Sequence, residues 1–251
     1  MSKLKGKVAV VTGGARDIGR AVSIKLAKEG AKVVVNYHSS EADGKETVKL
    51  IEQAGGEAIA IYADATNLKD IKNLAEKTKD AFGDKVDILV NVAGGLFARK
   101  TLAEIDEKFY DLLMDVNFKS TVFVTQAFEP MMGKGSSIIN LASQASRDGG
   151  GGGATLYGAS KGAVSTFTRG LAKELGPKGI RVNAVNPGMI ATKFHDEFTK
   201  DEIRTKVAAS TPLKREGEAA EVADLVCYLA SDEASFITGN NVDINGGLAF
   251  S

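Results

Sequence analysis

The chain has 251 residues, enough to bury a full core, and its 43% apolar and 25% charged residues are the balance of an ordinary folded globule. Its 32 basic and 32 acidic side chains cancel, so charge gives no support for a nucleic-acid or membrane-surface partner. One cysteine, Cys227, excludes an intrachain disulfide and fits a reducing compartment, and two histidines are too few to suggest a structural metal site. No apolar run is long enough to span a bilayer. The short run before Thr12-Gly13 reads as a strand rather than a signal peptide, so a cytoplasmic location is expected.

Short apolar runs alternate with longer amphipathic stretches from end to end. The runs predict strands at Val8–Val11, Lys32–Asn36, Glu57–Tyr62, Val86–Asn91, Ser137–Leu141, Arg181–Asn186 and Asn241–Ile244. Their β-branched residues suit a parallel sheet covered on both faces. Helical patterns fall between them, at Ile18–Glu29, Glu41–Ala54, Leu68–Phe82, Phe109–Gln126 and Leu156–Leu175, most of them ending at glycine. The alternation predicts an α/β, doubly wound parallel sheet of about seven strands in three α/β/α layers. With no linker, repeat or composition break, residues 1–251 read as one domain. The run Gly149 to Gly153 is either a flexible linker or a tight loop beside a ligand.

Two local patterns carry chemistry. Val8-Ala9-Val10-Val11-Thr12-Gly13-Gly14-Ala15-Arg16-Asp17-Ile18-Gly19 is a strand, a glycine-marked turn and a helix start. Unpaired N–H groups and the partial positive charge of a helix N-terminus suit a pyrophosphate there. The second pattern is Tyr157-x-x-x-Lys161, which puts a phenol and an ammonium on one helix face. A cation beside a phenol favours the phenolate and makes it a usable proton donor near neutral pH. No other tyrosine of the chain has a lysine four residues on.

With these motifs in order, the chain resembles the short-chain dehydrogenase/reductases over essentially its whole length, which implies a Rossmann fold. Thr12-Gly13-x-x-x-Asp17-x-Gly19 stands where the family has Thr-Gly-x-x-x-Gly-x-Gly. Asp64, between Ala63 and Ala65, matches the aspartate that contacts adenine, and Asn91-Val92-Ala93-Gly94 matches Asn-Asn-Ala-Gly. Asn186-Pro187-Gly188-Met189-Ile190-Ala191-Thr192 matches the loop that holds the nicotinamide. Asn117, Ser143, Tyr157 and Lys161 match the catalytic tetrad. The resemblance thus implies cofactor contacts from Gly13, Arg16, Asp17, Ile18, Gly19, Asn36, Asp64, Ala65, Asn91, Ala93, Gly94, Tyr157, Lys161, Pro187, Gly188, Ile190 and Thr192. Two residues depart from the family pattern: Asp17 replaces a glycine, with Arg16 or Arg20 placed to neutralise it, and Val92 replaces a polar residue that could brace the sheet.

The implied reaction is hydride transfer between a nicotinamide and a carbonyl or alcohol. Tyr157 would donate the proton, Lys161 would lower the tyrosine pKa and bind the ribose, Ser143 would hold the substrate oxygen, and Asn117 would anchor a water. The second strand ends without a carboxylate, at Asn36, and Arg16 stands nearby, which favours NADP(H). NAD(H) remains open if Arg16 only pairs Asp17.

The loops that set specificity are polar and cationic. Arg99, Lys100, Gln144, Arg147 and His195 are the candidate substrate contacts, suited to a small keto acid. Gly94-Gly95-Leu96-x-x-Arg99-Lys100, the segments up to Met114-Asp115, the glycine run and Phe194-His195 resemble the reductases of the alginate-derived keto-uronate 4-deoxy-L-erythro-5-hexoseulose uronate, which yield 2-keto-3-deoxy-gluconate. So does the spacing of fourteen from Ser143 to Tyr157. The alternatives are a 3-oxoacyl-[acyl-carrier-protein] reductase and a non-catalytic nucleotide-binding protein. The family also implies a homotetramer.

Overall fold

Residues 2–250 are described by a computed structural model. The first half of the chain alternates β1 (Val8–Thr12), α1 (Asp17–Lys28), β2 (Lys32–Tyr37), α2 (Glu41–Gln53), β3 (Glu57–Tyr62), α3 (Leu68–Phe82) and β4 (Ile88–Asn91). Next come α4 (Glu107–Met114), a π-helical stretch Asp115–Lys119, α5 (Ser120–Phe128), β5 (Ser137–Leu141), α6 (Ala145–Asp148), α7 (Thr155–Leu175) and β6 (Arg181–Pro187). The chain finishes with β7 (Ile190–Ala191), α8 (Lys193–Phe198), α9 (Asp201–Ser210), β8 (Gly217–Glu218), α10 (Ala219–Ala230) and β9 (Asn241–Ile244).

Seven strands form one parallel sheet in the order β3-β2-β1-β4-β5-β6-β9, while β7 and β8 pair separately. Alternation along the strands builds two cores. Ala9, Val11, Val33, Val35 and Val90 face α1, α2 and α10, meeting Leu26, Ile51 and Val226. Val8, Val10, Val34, Leu89 and Ile138 face α3, α5 and α7, meeting Leu74, Phe128 and Leu175. Both faces are therefore dry, as the continuous β-branched runs predict. Burying each large aliphatic or aromatic side chain contributes about 1.5–3 kcal/mol.

The order places β1 at the switch point. The chain winds outward from β1 to β3, then crosses back to lay β4 on the other side of β1, with Thr12 in register with Asn91. The crevice outside these two carboxyl ends is where such sheets bind ligands.

Strand positions match the sequence reading to within two residues. The pattern over Phe109–Gln126 does not form one continuous helix: the π-helical stretch interrupts it at Asp115–Lys119 and contains Asn117. Hydrophobic periodicity does not register such a stretch, because its apolar residues continue on both sides.

Candidate active site

The turn after β1 is held from below by side chains. Asn36, at the end of β2, accepts the Gly13 N–H on Oδ1 at 3.2 Å, and its carbonyl accepts the Gly14 N–H at 2.9 Å. Gly13 has φ +60°, and a Cβ there would lie 3.2 Å from the Ala93 backbone; a Cβ on Gly19 would collide with the Gly13 carbonyl. The glycines thus let α1 and the β4 loop close on the turn. No side chain caps α1, whose N-cap is Arg16, so the first N–H groups, including that of Ile18, are open to an anion.

Asp17 itself has φ +51°, in the left-handed region that the family's glycine occupies without cost. Its carboxylate turns outward: Oδ1 accepts the Lys193 N–H at 3.1 Å, and Oδ2 lies 3.9 Å from Arg16 Nε. Arg20 does not neutralise it, being paired with Asp43 at 3.1 Å.

At the ends of β4 and β5 the tetrad residues converge. Lys161 is 4% exposed, and its ammonium donates to the Leu141 carbonyl at 2.8 Å and lies 6.0 Å from the centre of the Tyr157 ring. Desolvation pulls the Lys161 pKa down to about 8. Burial raises the Tyr157 phenol, and a hydrogen bond with the Ser143 hydroxyl works against that rise. The lowering expected from Lys161 does not set the direction of this shift, which burial dominates, and the ammonium is bonded to a carbonyl. Asn117 is fully buried on the π-helical stretch; its carboxamide donates to the Gly95 carbonyl at 2.8 Å and accepts the Gly95 N–H at 3.0 Å. A Cβ on Gly94 would lie 2.8 Å from Asn117 Oδ1 and 2.9 Å from Lys161 Nζ, so glycine is what lets the three segments meet.

Several expected contacts are placed differently. The Asn36 side chain is 2% exposed, donating to Ala63 O at 3.0 Å while it holds Gly13, so it supports the turn and is not free for a ribose. Asn91 points into the core, donating to Thr125 Oγ1 at 3.0 Å and Asn140 Oδ1 at 2.9 Å; it braces the sheet rather than facing the crevice. This is the bracing role that Val92 was expected to have lost. Lys100 lies 4.7 Å from the centre of the Phe109 ring and 3.4 Å from Asp106. Gln144 is held by Asn245 at 2.7 Å and by Asp148, and Arg147 bonds Asp243 at 3.2 Å and Asn241 O at 2.9 Å. In this arrangement the three side chains are bonded to protein partners, so each would have to exchange those bonds to meet a substrate.

The other expected residues lie around the crevice. Asp64 accepts the N–H and hydroxyl of Thr66 at 2.8 and 2.7 Å; burial pushes its carboxyl up, but these bonds and His38 prevail and the net shift is downward. Ala65 is buried beside it. Beyond β6, a Cβ on Gly188 would lie 2.8 Å from Asn245 Cα, Ile190 is buried, and Thr192 donates to Ile190 O at 3.1 Å. Pro187 accepts the Gln144 N–H at 2.9 Å. Arg99 meets the end of α8 and His195 lies within it: Arg99 Nε donates to Phe198 O at 2.9 Å, and His195 Nδ1 lies 3.0 Å from Thr199 Oγ1. Burial lowers the His195 pKa.

A family model described as Enoyl-(Acyl carrier protein) reductase matches residues 13–249. The chain belongs to the short-chain dehydrogenase/reductase family. This short-chain dehydrogenase/reductase is 40% identical to an uncharacterized oxidoreductase of Methylorubrum extorquens over 99% of this chain and 100% of that one. It is 36% identical to the 3-oxoacyl-[acyl-carrier-protein] reductase of Staphylococcus epidermidis, over 96% and 98% of the two chains. A short-chain dehydrogenase from Burkholderia cenocepacia, solved in complex with NADP, superposes with TM-score 0.92 at 34% identity, covering 98% of this chain and 99% of that one. An NADH-dependent reductase, A1-R′, responsible for alginate metabolism, superposes with TM-score 0.91 at 35% identity over 100% of both chains.

Three residues of this short-chain dehydrogenase/reductase have contacts that their motifs or sequence positions do not reveal. Thr12 Oγ1 accepts the N–H groups of Val92 and Ala93. Phe194 of α8 lies 6.1 Å from Tyr157 between ring centres, and Phe198 lies 5.4 Å from Phe194. The sequence hint for the phenylalanines was their spacing of four on a short helix directly after the nicotinamide loop.

Proposed function

We propose that the protein is an NAD(P)H-dependent carbonyl reductase acting on a small polar keto acid, with the alginate-derived keto-uronate as the best-fitting substrate. The observation that carries the chemistry is the convergence of Ser143, Tyr157 and Lys161 at the carboxyl ends of the sheet. The crevice fits a dinucleotide: Gly13, Gly19 and Gly94 let the turn, the β4 loop and Lys161 close together where a Cβ would collide, and the first turn of α1 beside them is uncapped. Gly13, Ile18 and Gly19 would hold the pyrophosphate, Asp64 and Ala65 the adenine side, and Lys161 with Pro187–Thr192 the nicotinamide side. When bound, the nicotinamide supplies the hydride.

The chain's own residues handle the proton and the geometry. Ser143 orients the carbonyl oxygen, and Tyr157 donates the proton to that oxygen. Lys161, a buried ammonium beside the phenol, stabilises the phenolate left behind; such proton transfer is worth about 10²–10⁴-fold. Asn117 fixes Gly95 and so the wall against Lys161. Arg16, exposed and held only loosely by Asp17, favours NADP(H) through the 2′-phosphate, with NAD(H) usable.

Phe194 lies 6.1 Å from Tyr157 between ring centres, and an aromatic side chain this close to the proton donor suits a small carbonyl compound better than an extended acyl chain. Arg99 bonds the end of the helix that carries Phe194, and its Nη2 has no protein partner among the described residues, so it is a cation that a substrate carboxylate could meet. The 35% identity with the alginate-metabolism reductase over both full chains supports the same reading. A groove of about 590 Å³ beside β9, lined by Tyr228, Ile237, Val242 and exposed Phe250 together with Asn240, Asn241 and Asp243, supports assembly with further copies as a homotetramer.

The test compares the keto-uronate with an acetoacetyl thioester, each with NADPH and NADH, following oxidation of the nicotinamide. Faster turnover of the keto-uronate supports the proposal. Preference for the thioester replaces it with the acyl-carrier reading, and no oxidation with either removes the small keto-acid assignment.

A further inference from the structure

Helix α8 is one short turn-and-a-half whose backbone ends are both held by charged side chains from elsewhere in the chain. At its start the Lys193 N–H, which no residue of the helix can accept, is taken by Asp17 Oδ1 at 3.1 Å. At its end the Phe198 carbonyl, equally without a helical partner, is taken by Arg99 Nε at 2.9 Å. The same guanidinium donates through Nη1 to Gly152 O at 3.0 Å, and Lys100 N–H bonds Gly153 O at 2.9 Å. Gly153 has φ +72°, and a Cβ there would lie 2.9 Å from Arg99 Cβ, so the glycine run lets its loop lie under the arginine. Asp17 comes from the pyrophosphate turn and Arg99 from the loop after β4. Between these two holds the helix presents Phe194 to Tyr157.

We propose that Asp17 and Arg99 are positioning residues that pin α8 from its two ends and thereby set the distance between Phe194 and Tyr157, the outer wall of the substrate compartment. Asp17 accordingly occupies a left-handed position where glycine would be cheaper because its carboxylate is needed by α8. Arg204 provides a third tie, bonding Asp196 of α8 and, at 2.7 Å, Glu216. Loss of one pin therefore lets the helix shift without releasing it altogether.

The assignment of Phe194 to the substrate wall rests on the reductase reading, but the pins can be tested without substrate or cofactor. Asp17→Gly removes the acceptor and relieves the backbone at φ +51°, so a folding failure is not expected. Asp17→Asn keeps an acceptor oxygen on a residue that tolerates the left-handed region. Amide hydrogen exchange over residues 193–199 is measured in the cofactor-free protein, with α7 as internal control. One lost hydrogen bond of about 1.4 kcal/mol corresponds to about tenfold faster exchange, expected for Asp17→Gly and for Arg99→Ala, with Asp17→Asn close to wild type. Unchanged exchange in Asp17→Gly and Arg99→Ala overturns the proposal, as does equal acceleration in Asp17→Asn and Asp17→Gly, which would make charge rather than the bond responsible. With an active substrate in hand, KM should rise several-fold more than kcat falls in Asp17→Gly, and Asp17→Asn should restore it; a pure kcat loss also overturns the positioning role.

Discussion

The hydroxyl of Thr12 accepts the backbone N–H of Ala93 at 3.2 Å, joining the carboxyl end of β1 to the loop that leaves β4. The same oxygen accepts the Val92 N–H at 3.1 Å. Thr12→Val keeps the shape of the side chain and strands both donors at a site that is 1% exposed. Destabilisation of about 1–3 kcal/mol is expected, measured by urea unfolding. Because the next residue, Gly94, packs on Asn117 and Lys161, cofactor affinity measured by calorimetry should fall as well.

Tyr157→Phe preserves the ring and its contact with Phe194. Turnover should fall by about 10²–10⁴-fold with the proton donor gone, while cofactor binding and the unfolding midpoint stay near wild type. Near-normal turnover would show that another group supplies the proton.

Lys161 gives a pH signature through stability. Its pKa drops from 10.5 in the ordinary state to about 8 in the fold, so between these values the unfolded chain binds the extra proton. The cost of holding the buried ammonium is therefore full below pH 8 and fades as pH rises toward 10.5. That shift corresponds to a cost of about 3 kcal/mol. Lys161→Met removes it, so the Tm advantage of the variant over wild type should be largest at neutral pH and shrink on going to pH 10. A difference that does not change with pH contradicts the burial argument.

Asn36→Asp is expected to loosen the turn after β1 rather than simply to switch the cofactor, because the side chain is an internal support. The amide donates to Ala63 O at 3.0 Å and to other carbonyls nearby, and a carboxylate would face them with no proton to give. Loss of about 2 kcal/mol or more of stability is expected, read as a lowered unfolding midpoint.

Arg16→Ala is the informative change for cofactor choice, since the side chain is 59% exposed and its nearest acid, Asp17, is 3.9 Å away. Its removal should weaken 2′,5′-ADP binding about tenfold, or about 1.4 kcal/mol, while leaving 5′-ADP unaffected. Equal effects on the two ligands would place the 2′-phosphate elsewhere.

The fold was legible because both of its periodicities are written in single residues: paired β-branched runs for the strands and glycine-ended amphipathic stretches for the helices. The motif residues Ser143, Tyr157 and Lys161 come together as their order implied. What the sequence did not show are contacts between charged side chains and backbone atoms far along the chain. Arg99 and Asp17 meet carbonyl and amide groups, which every residue carries, so no pattern marks the partner. The partners of Lys100, Gln144 and Arg147 are hidden for a related reason: type and loop position suggest a substrate, whereas the acid or amide that each meets, Asp106, Asn245 or Asp243, is not marked by any local pattern. Asn36 read as a strand-end polar residue facing a ligand, yet the turn beside it needs an internal support.

The π-helical stretch at Asp115–Lys119 amounts to one residue more than a regular helix would use. Each residue advances an α-helix by about 100°, so this surplus turns α5 relative to α4 and lets Asn117 reach Gly95 while Val124 and Phe128 still meet the core. Chain length between Asp106 and Ser137 is consequently fixed by the pocket and not by the bundle. Shortening the stretch by one residue would give a more regular helix, with better backbone bonding, that aims either its core face or its asparagine the wrong way. A deletion that improves local helical order while emptying the active site is the kind of change that sequence propensity alone would score as an improvement.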